Sequence, residues 1–446
     1  MEAYDLKDSG VDCLGKIPEH WVKGKVKNRF FLKPSNVDKK QYDDEIPVEL
    51  CNYVDVYYND FIRNDLKFMP ATATAYEIKK FSLELEDVIL TKDSEDPMDI
   101  GVPSLVKEIK PNLVCGYHLT MLRKRPCHVS GSFLFWALAD KAIASQFYRE
   151  ATGVTRWAIS SRNIKNVAIA YPDLEEQKAI ADYLDKACQN IDKTISLKQQ
   201  QLEKLEAYRK SVIHEAVTKG LDKAVTMKDS GAEWLGEINR SWRVVKLKRI
   251  LSEKLQYGAN ESAELEDKSL PRYIRITDFG ADGKLRDNTF KSLKVSVAAP
   301  YMLKNGDILF ARSGATVGKT FQFKNYQGNA CFAGYLIKAA PLETKISSDF
   351  LYYFTKSIAY EEWKNLIFTQ ATIQNIGADK YQYLNVPLPL VNEQNEITRY
   401  LDEACEKINK TKETISKQIK TLTQYRQSLI HECVTGKKRV YQGEIH

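Results

Sequence analysis

Aliphatic residues recur at every seventh position along two long stretches of this chain, except that Lys198 takes one such position in the first stretch. They are Leu184, Ile191, Leu205 and Val212 in the first stretch, and Leu401, Ile408, Ile415, Leu422 and Leu429 in the second. Spacing of four and three residues, sustained over about five heptads, is typical of a coiled coil. Neither stretch contains Gly or Pro before Gly220 and Gly436, where each helix is predicted to end. Two such helices in one chain would most simply pair with each other.

Polar residues interrupt both predicted seams at matching places. Arg209 and Arg426 each occupy a position four residues after an aliphatic one, and each follows a tyrosine, Tyr208 or Tyr425. One interpretation is that these long side chains extend to solvent near a helix end. The alternative is that they fix the register of the pair or contact a partner.

A short strand that contains proline is predicted before each helix. The two runs are residues 167–172 and 386–390, and Glu-Gln follows each of them in the first helical turn. Acidic residues suit the positive end of a helix dipole. Asp173 or Asn392 is predicted to cap the helix.

Between these elements the chain alternates β-like runs with aromatic ones. The β-like runs are residues 53–56, 87–90, 273–276 and 307–310, the later two lying 220 residues after the earlier two. Residues 133–136 and 350–353 are aromatic and are predicted to be buried helix faces. The pattern therefore indicates mixed α/β domains.

The chain repeats itself at the scale of a domain. Lys-Asp-Ser-Gly followed by Trp, at residues 7–21, recurs at residues 228–242, and residues 211–218 recur as residues 428–435. A period above two hundred residues is far longer than that of a solenoid, roughly 20–50 residues. We therefore predict a pseudo-dimer folded from one chain, suited to a ligand with two parts.

Composition permits a polyanionic partner without requiring one. The 446-residue chain has 66 Lys and Arg against 59 Asp and Glu, a net charge of +7, which is modestly basic. The chain begins without a signal-peptide pattern and has no apolar run of about 18 residues, so a cytoplasmic protein without a membrane span is expected.

The cysteines form no CxxC pair, so we expect reduced, mostly buried thiols and no metal site. They are Cys13, Cys51, Cys115, Cys127, Cys188, Cys331, Cys405 and Cys433.

The strongest enzyme-like signal lies at residues 313–320, Ser-Gly-Ala-Thr-Val-Gly-Lys-Thr. A P-loop needs glycine where Ser313 stands and must lead into a helix that holds phosphate. The run Phe321-Gln322-Phe323 that follows is β-like instead. A Gly-rich β-hairpin with a cationic rim, Arg312 and Lys319, is the better interpretation. No nucleophile elbow or zinc motif occurs, so no catalytic residue is predicted.

Cationic and amide side chains in both copies are candidate DNA contacts. Arg and Lys neutralise phosphates and contact guanine, while Asn and Gln suit adenine. The candidates are Arg123, Lys124, Arg125, Arg156, Arg162, Arg272, Arg275, Lys284, Arg286, Arg312, Lys319, Gln370, Gln374 and Asn375. For any single one, solvated surface charge is the competing interpretation.

The ordered motifs resemble those of the specificity subunit of type I restriction–modification enzymes, over nearly the whole chain. They are Asp-Ser-Gly…Leu-Gly…Trp (residues 8–21 and 229–242), Gly-Asp-Ile-Leu-Phe-x-Arg-x-Gly (306–314), Pro-x-x-x-Glu-Gln…Tyr-Leu-Asp (172–185 and 389–402) and the closing Ser-x-Ile-His-Glu-x-Val-Thr (211–218 and 428–435). The first copy departs from the second motif, with Glu86-Asp87 and Lys92-Asp93 at the equivalent places. The role of this turn in the first copy is therefore an open question.

The resemblance implies two target-recognition domains that each bind half of a bipartite, asymmetric double-stranded DNA site. It also implies two antiparallel helices that act as a spacer. The expected partners are two methyltransferase subunits, which carry S-adenosylmethionine, and restriction subunits driven by ATP with Mg²⁺. This chain would then be non-catalytic and bind no cofactor. The corresponding boundaries are residues 1–165 and 221–384 for the recognition domains, 166–220 and 385–436 for the helical regions, and 437–446 for a tail.

Three alternatives remain at this point. A type IIB-like specificity subunit would use the same scaffold with a different partner. A P-loop enzyme centred on Lys319 would bind nucleotide. A purely structural coiled-coil protein would show no salt-dependent DNA affinity.

Overall fold

The computed structural model describes residues 4–126, 128–280, 283–369 and 375–441. The chain divides into two compact units. The first unit comprises Met1–Gln199 with Lys417–His446, and the second comprises Gln200–Ser416.

The first unit is built on a five-stranded sheet. Its strands, with the smaller sheets, are β1 (Leu6–Asp8), β2 (Lys16–Pro18), β3 (Val22–Lys25), β4 (Phe30–Pro34), β5 (Ile46–Cys51), β6 (Phe61–Ile62), β7 (Met69–Ala73), β8 (Val88–Thr91), β9 (Asp93–Ser94), β10 (Pro103–Val106), β11 (Leu113–Cys115), β12 (Leu119–Lys124), β13 (Thr152–Gly153), β14 (Trp157–Ala158) and β15 (Ala168–Tyr171). The main sheet has the order β4-β12-β8-β10-β6, and only its β10–β6 pair is parallel. Smaller sheets have the orders β11-β5-β7, β13-β14-β9, β15-β3 and β1-β2.

Helices pack around these sheets and share the core with them. They are α1 (Val26–Arg29), α2 (Tyr53–Tyr57), α3 (Ala75–Phe81), α4 (Gly131–Ala139), α5 (Lys141–Glu150), α6 (Ser161–Asn166) and the long α7 (Leu174–Lys219). Phe133, Leu134, Phe135 and Trp136 of α4 are all buried, which confirms the aromatic helix face predicted there.

The second unit repeats this plan with a four-stranded antiparallel sheet. Its strands are β16 (Met227–Asp229), β17 (Glu237–Asn239), β18 (Arg243–Lys246), β19 (Gln256–Tyr257), β20 (Arg272–Ile274), β21 (Ile308–Ala311), β22 (Thr320–Gln322), β23 (Ala330–Phe332), β24 (Leu336–Ala339) and β25 (Asn385–Leu388). The main order is β19-β24-β21-β22, beside the pairs β20-β23, β18-β25 and β16-β17. Its helices are α8 (Val295–Ala298), α9 (Ser348–Phe354), α10 (Ile358–Thr369), α11 (Ala378–Tyr381) and the long α12 (Val391–Val434).

The two long helices run antiparallel inside each unit. In the first unit Arg426 Nε lies 3.0 Å from Asp192 Oδ1, and Lys198 Nζ donates to Gln418 Oε1 at 2.7 Å. Residue numbers therefore rise along α7 while they fall along α12. In the second unit Lys412 Nζ lies 2.5 Å from Glu206 Oε2.

The predicted heptad residues form the seam of this pair. Those that are buried are Leu184, Ile191, Val212, Leu401, Ile408, Ile415 and Leu429, while Leu205 and Leu422 are half-buried. Gly220 and Gly436 follow the helix ends with φ of +84° and +71°, a conformation that glycine adopts without steric cost. The predicted fold class, α/β units with two long antiparallel helices, is confirmed.

The recurring Glu-Gln motif ties the start of each long helix to its unit. The Trp21 indole donates to Glu176 at 3.2 Å, and the Trp242 indole donates to Glu393 at 3.0 Å. Each neighbouring glutamine accepts a backbone N–H at the start of an aromatic helix. Ser130 N donates to Gln177 at 2.9 Å, and Ser347 N donates to Gln394 at 2.7 Å. The motif therefore stabilises the framework.

Two local predictions are wrong. Residues 53–56 belong to helix α2, because Asn52 and Asp55 form a capping box that begins a helix there. The backbone N–H of Asn52 donates to Asp55 at 2.7 Å, and in the same way that of Arg275 donates to Asp278 at 2.6 Å at the start of the 3-10 helix Ile276–Asp278. The structurally matching residues are therefore 223 apart rather than 220. Asn392 lies inside α12 and is not its cap, whereas Asp173 accepts from Glu176 N at 2.8 Å as predicted.

Candidate nucleic-acid interface

The two units have an equivalent backbone edge, at the end of β8 in the first and of β21 in the second, but they place different side chains on it. In the first unit β9 follows β8, and Asp93 pairs with Ala158 of β14. In the second unit Ser313 follows β21 and bridges Asn375. We call these positions the variable edge: residues 92, 93, 118, 156 and 158 in the first unit, and residues 312, 313, 335 and 375 in the second.

The first unit's variable edge presents an oriented guanidinium. Asp93 accepts from Arg156 Nη2 at 2.6 Å, and its other oxygen lies 2.7 Å from His118 Nδ1. The Asp93 side chain is 13% exposed, while that of Arg156 is 56% exposed. A largely buried carboxylate that holds an exposed guanidinium favours directional contact with a base edge or a phosphate.

The second unit's variable edge is cationic and aromatic. The Arg312 guanidinium lies 4.8 Å from the centre of the Tyr257 ring, and the Tyr257 hydroxyl accepts from Ala378 N at 2.9 Å. Within the described ranges, Arg312 Nε has no hydrogen-bond partner. Tyr335 is 65% exposed, and Lys319 is exposed on the same hairpin.

Arg123 is a structural residue of the first unit. It donates to Asp87 at 2.9 and 2.6 Å and to Ser82 O at 2.7 Å, and it pairs with Glu84. Its side chain is only 14% exposed. Burial raises the pKa of Asp87 even though the hydrogen bond from Arg123 opposes that rise. Whether Arg123 also contacts DNA stays a prediction.

Three other candidates in this unit are accessible. Lys124 pairs with Glu86, and the Arg125 guanidinium stacks 4.1 Å from the Phe31 ring centre. Arg162 is exposed on α6.

In the second unit Arg272 and Arg275 are committed to internal contacts. Arg272 is 3% exposed and donates to Arg286 O at 2.5 Å. Arg275 donates to Asp278 and to Thr289 O, each at 2.8 Å. Lys284 and Arg286 are exposed nearby, and Asn375 is exposed at the variable edge. Gln370 and Gln374 lie outside the described residues.

The P-loop-like segment is a β-hairpin, as predicted. Strands β21 and β22 pair antiparallel, joined by a short 3-10 turn at Gly314–Thr316. Strand β22, and not a helix, directly follows Lys319, so the geometry that holds a nucleotide phosphate at a helix N-terminus is missing from this part of the described chain.

Most of the described cysteine thiols are buried, as predicted. Seven of the eight cysteines are described and all seven are free, while Cys127 lies outside the described residues. Burial raises the pKa of Cys188, Cys331 and Cys433 to about 12, which disfavours the reactive thiolate. Among the described residues no group of His, Cys, Asp or Glu is arranged to hold a metal. No described helix is long and apolar enough to cross a membrane.

Sequence reasoning missed Asp93 and His118. The only signal was the mismatch between Lys92-Asp93 and Arg312-Ser313, because spatial neighbours 25 and 63 residues apart in the chain leave no local pattern.

Comparison with protein families gives one description for both units. The model for the type I restriction modification DNA specificity domain matches residues 55–207 and 239–421. The MjaVIII specificity subunit of Methanocaldococcus jannaschii is 23% identical over 436 residues, which cover 95% of this chain and 94% of that protein. The EcoKI specificity subunit of Escherichia coli K12 is 24% identical, covering 95% and 90%.

Solved structures have the same fold. A chain from the type I R-M system, from work on its complex assembly and conformational transition, matches with a TM-score of 0.71 and 16% identity, covering 94% of this chain and 98% of that one. The HsdS subunit of Thermoanaerobacter tengcongensis matches with a TM-score of 0.52 and 17% identity, covering 95% and 98%.

Proposed function

This chain belongs to the type I restriction–modification DNA specificity family, as a specificity subunit, and we propose that each unit recognises one half of a bipartite, asymmetric double-stranded DNA site. The observation that carries the proposal is the variable edge. Asp93 and Ser313 occupy the same backbone position on the same framework, yet one edge offers Asp93 with Arg156 and the other Arg312 with Asn375. Two frameworks with different polar groups suit two different half-sites.

The long helices would set the distance between the half-sites. α7 has 46 residues and α12 has 44, and at about 1.5 Å per residue each is roughly 65–70 Å long. A paired, capped rod of constant length is suited to fix a spacer. We also assign to this pair the docking of two methyltransferase subunits.

Members of this family are generally DNA-recognition subunits without catalysis of their own. For this chain we propose the same, with S-adenosylmethionine, ATP and Mg²⁺ bound by modification and restriction subunits, in a cytoplasmic complex. A type IIB-like partner set is the second candidate, because the scaffold alone does not distinguish it.

Exchange of residues 243–384 for the same segment of another family member tests the modular proposal. The methylated motif of the host, determined by methylome sequencing, should change in one half only. A change in both halves, or in neither, would contradict it. The genes beside this one distinguish a type I from a type IIB-like partner set.

A further inference from the structure

Four cations lie on or next to the β21–β22 hairpin of the second unit. They come from three elements, the hairpin itself, the α9–α10 region and α7, and we call them the hairpin cation cluster: Lys319, Lys356, Lys364 and Arg209. The nearby carboxylate of Glu361 is already paired with Lys364. Such an excess of positive charge suggests an anionic ligand.

Lys356 is the least solvated member of the cluster. Its ammonium donates to Thr320 O at 2.6 Å and lies 4.5 Å from the centre of the Tyr352 ring. Burial, helped by the charges of Arg209 and Lys319 and opposed by that of Glu361, lowers the pKa of Lys356 to about 7. An incoming anion would favour the protonated form of Lys356.

Lys364 packs on the hairpin itself, and the charge of Arg209 acts on Lys356 from α7. Lys364 crosses the hairpin at Gly318, where an added Cβ would lie 2.2 Å from its Cδ, and its side chain is 15% exposed. Arg209 lies 3.5 Å from Glu206, a carboxylate that also binds Lys412. Among the described residues, Arg209 Nε has no hydrogen-bond partner.

The fold itself does not require these charges. The hairpin hydrogen bond from Ala311 N to Lys319 O corresponds to that from Thr91 N to Val102 O in the first unit, so Lys319 matches Val102. At the Lys356 and Lys364 positions, 217 residues earlier, the first unit has Ala139 and Phe147. Phe147 packs on Gly101 as Lys364 packs on Gly318.

The matching arginine of the first unit has two carboxylate partners, whereas Arg209 shares the single carboxylate of Glu206 with Lys412. Arg426 pairs with Asp60 at 2.5 Å and with Asp192 at 3.0 Å. Apolar side chains and a paired arginine therefore build an equivalent hairpin without an excess of charge.

We propose that the hairpin cation cluster binds a DNA backbone phosphate in the half-site of the second unit. This inference rests on the proposed function. The position of the cluster supports this proposal. Lys319 and the variable-edge residue Arg312 both lie in the turn that joins β21, which ends at Ala311, to β22, which begins at Thr320. Lysine binds phosphate as a point charge, whereas guanidinium adds directional hydrogen bonds. The first unit has no counterpart, so the two half-sites would be held with different strengths.

Salt dependence of DNA binding by the full chain tests the proposal. Fluorescence anisotropy with a labelled duplex of arbitrary sequence, from about 50 to about 200 mM salt, gives the slope of log K against log salt. The double variant K319Q/K364Q should have a slope shallower by about 0.9, the value for one phosphate contact. The matched control is K324Q, which removes an exposed lysine that lies two residues beyond β22 and pairs with Asp349 of α9.

A pH series provides the second readout. Wild-type affinity should fall as pH rises from about 6 to about 8, because phosphate binds protonated Lys356. Lys356→Met should flatten that profile. The neighbouring groups that could also respond are Arg209, Lys319, Glu361 and Tyr352.

The outcomes separate this inference from the proposed function. If wild type binds no DNA, both fail. If wild type binds DNA but the double variant keeps its slope and K356M keeps its pH profile, the phosphate site is wrong and the proposed function stands. Loss of methyltransferase assembly or of labelled ATP binding, with an unchanged DNA slope, would assign the cluster to a different ligand and overturn the inference.

Discussion

Glu176 shows how a single residue accounts for a recurring motif. Its carboxylate is 1% exposed and accepts from Tyr4 OH at 2.7 Å and Trp21 Nε1 at 3.2 Å, and it lies 2.9 Å from His20 Nε2. Burial and the hydrogen bond to Glu176 raise the pKa of Tyr4. In the second unit Glu393 is half-buried and holds the Trp242 indole. The motif recurs because each framework needs this anchor.

Glu176→Gln should destabilise the first unit by about 1–3 kcal/mol, because a neutral amide turns an N–H₂ group toward buried donors. Glu393→Gln is the matched control and should cost less, since Glu393 is less buried and holds one ring. Urea unfolding followed by tryptophan fluorescence measures both. Equal losses of unfolding free energy in the two variants would show that Tyr4 and His20, the additional partners of Glu176, contribute nothing to stability.

Lys356 predicts a pH dependence of stability. Its pKa falls from the usual 10.5 to about 7 in the folded chain, so between these values the unfolded chain binds one proton more. Stability should therefore rise with pH from about 7 to about 10, and the cost of burial is greatest below pH 7. In Lys356→Met this contribution disappears.

Thermal unfolding of wild type and K356M at several pH values checks this prediction. The melting temperature of the variant should exceed that of wild type most at low pH, by roughly 2–4 °C for each kcal/mol removed. Parallel curves would mean that Lys356 titrates normally in the folded chain.

At the scale of elements, the helix pair makes a quantitative prediction. Deletion of residues 199–205 from α7 and 412–418 from α12 removes one heptad from each helix while keeping the seam in phase. At about 1.5 Å per residue the rod shortens by roughly 10 Å, or about three base pairs of DNA. Methylome sequencing should report a spacer shorter by that number, or the complex should not assemble.

Deletion of the same heptad from α7 alone is the control. Seam residues on the two sides of the deletion, such as Ile191 and Val212, could not both keep their places against an α12 of full length, so that variant should lose stability. An unchanged spacer in the double deletion would disprove the role of the helices as a ruler.

The helices were predictable because heptad periodicity is a local signal repeated many times. The helix at residues 53–56 was not predictable in this way. A run of Tyr and Val favours a strand, while this helix depends on the capping box of Asn52 and Asp55. The structure explains why Arg426 interrupts the apolar seam between α7 and α12 in the first unit. Arg426 pairs across the helices with Asp192, which favours the interpretation that it fixes the register of the pair.

The candidate site was less predictable than the fold. Composition identified Arg156 and Arg312, but it gave equal weight to Arg123 and Arg272, whose charges the fold uses internally. A cationic residue in a sequence does not reveal its acidic partner when that partner is distant along the chain. Lys356 and Lys364 became candidates only when the hairpin placed them together.

For the whole molecule, the repeat implies independence between the two recognition surfaces. Each unit has its own hydrophobic core, and the partners of Arg156 and Arg312 belong to different units. Substitutions that share no partners usually have additive energies. The two half-sites should therefore respond separately.

Arg156→Ala and Arg312→Ala test that independence. Each should weaken binding of the methylated-motif duplex by about 1–3 kcal/mol, the value of one good base contact, and relax specificity in one half-site only. The double variant should lose the sum of the two single losses within about 0.5 kcal/mol. The measurement is the affinity of the full chain for duplexes altered in one half or the other. A coupling well above that limit would mean that the halves are recognised as one site, so that the repeated framework does not act as two independent readers.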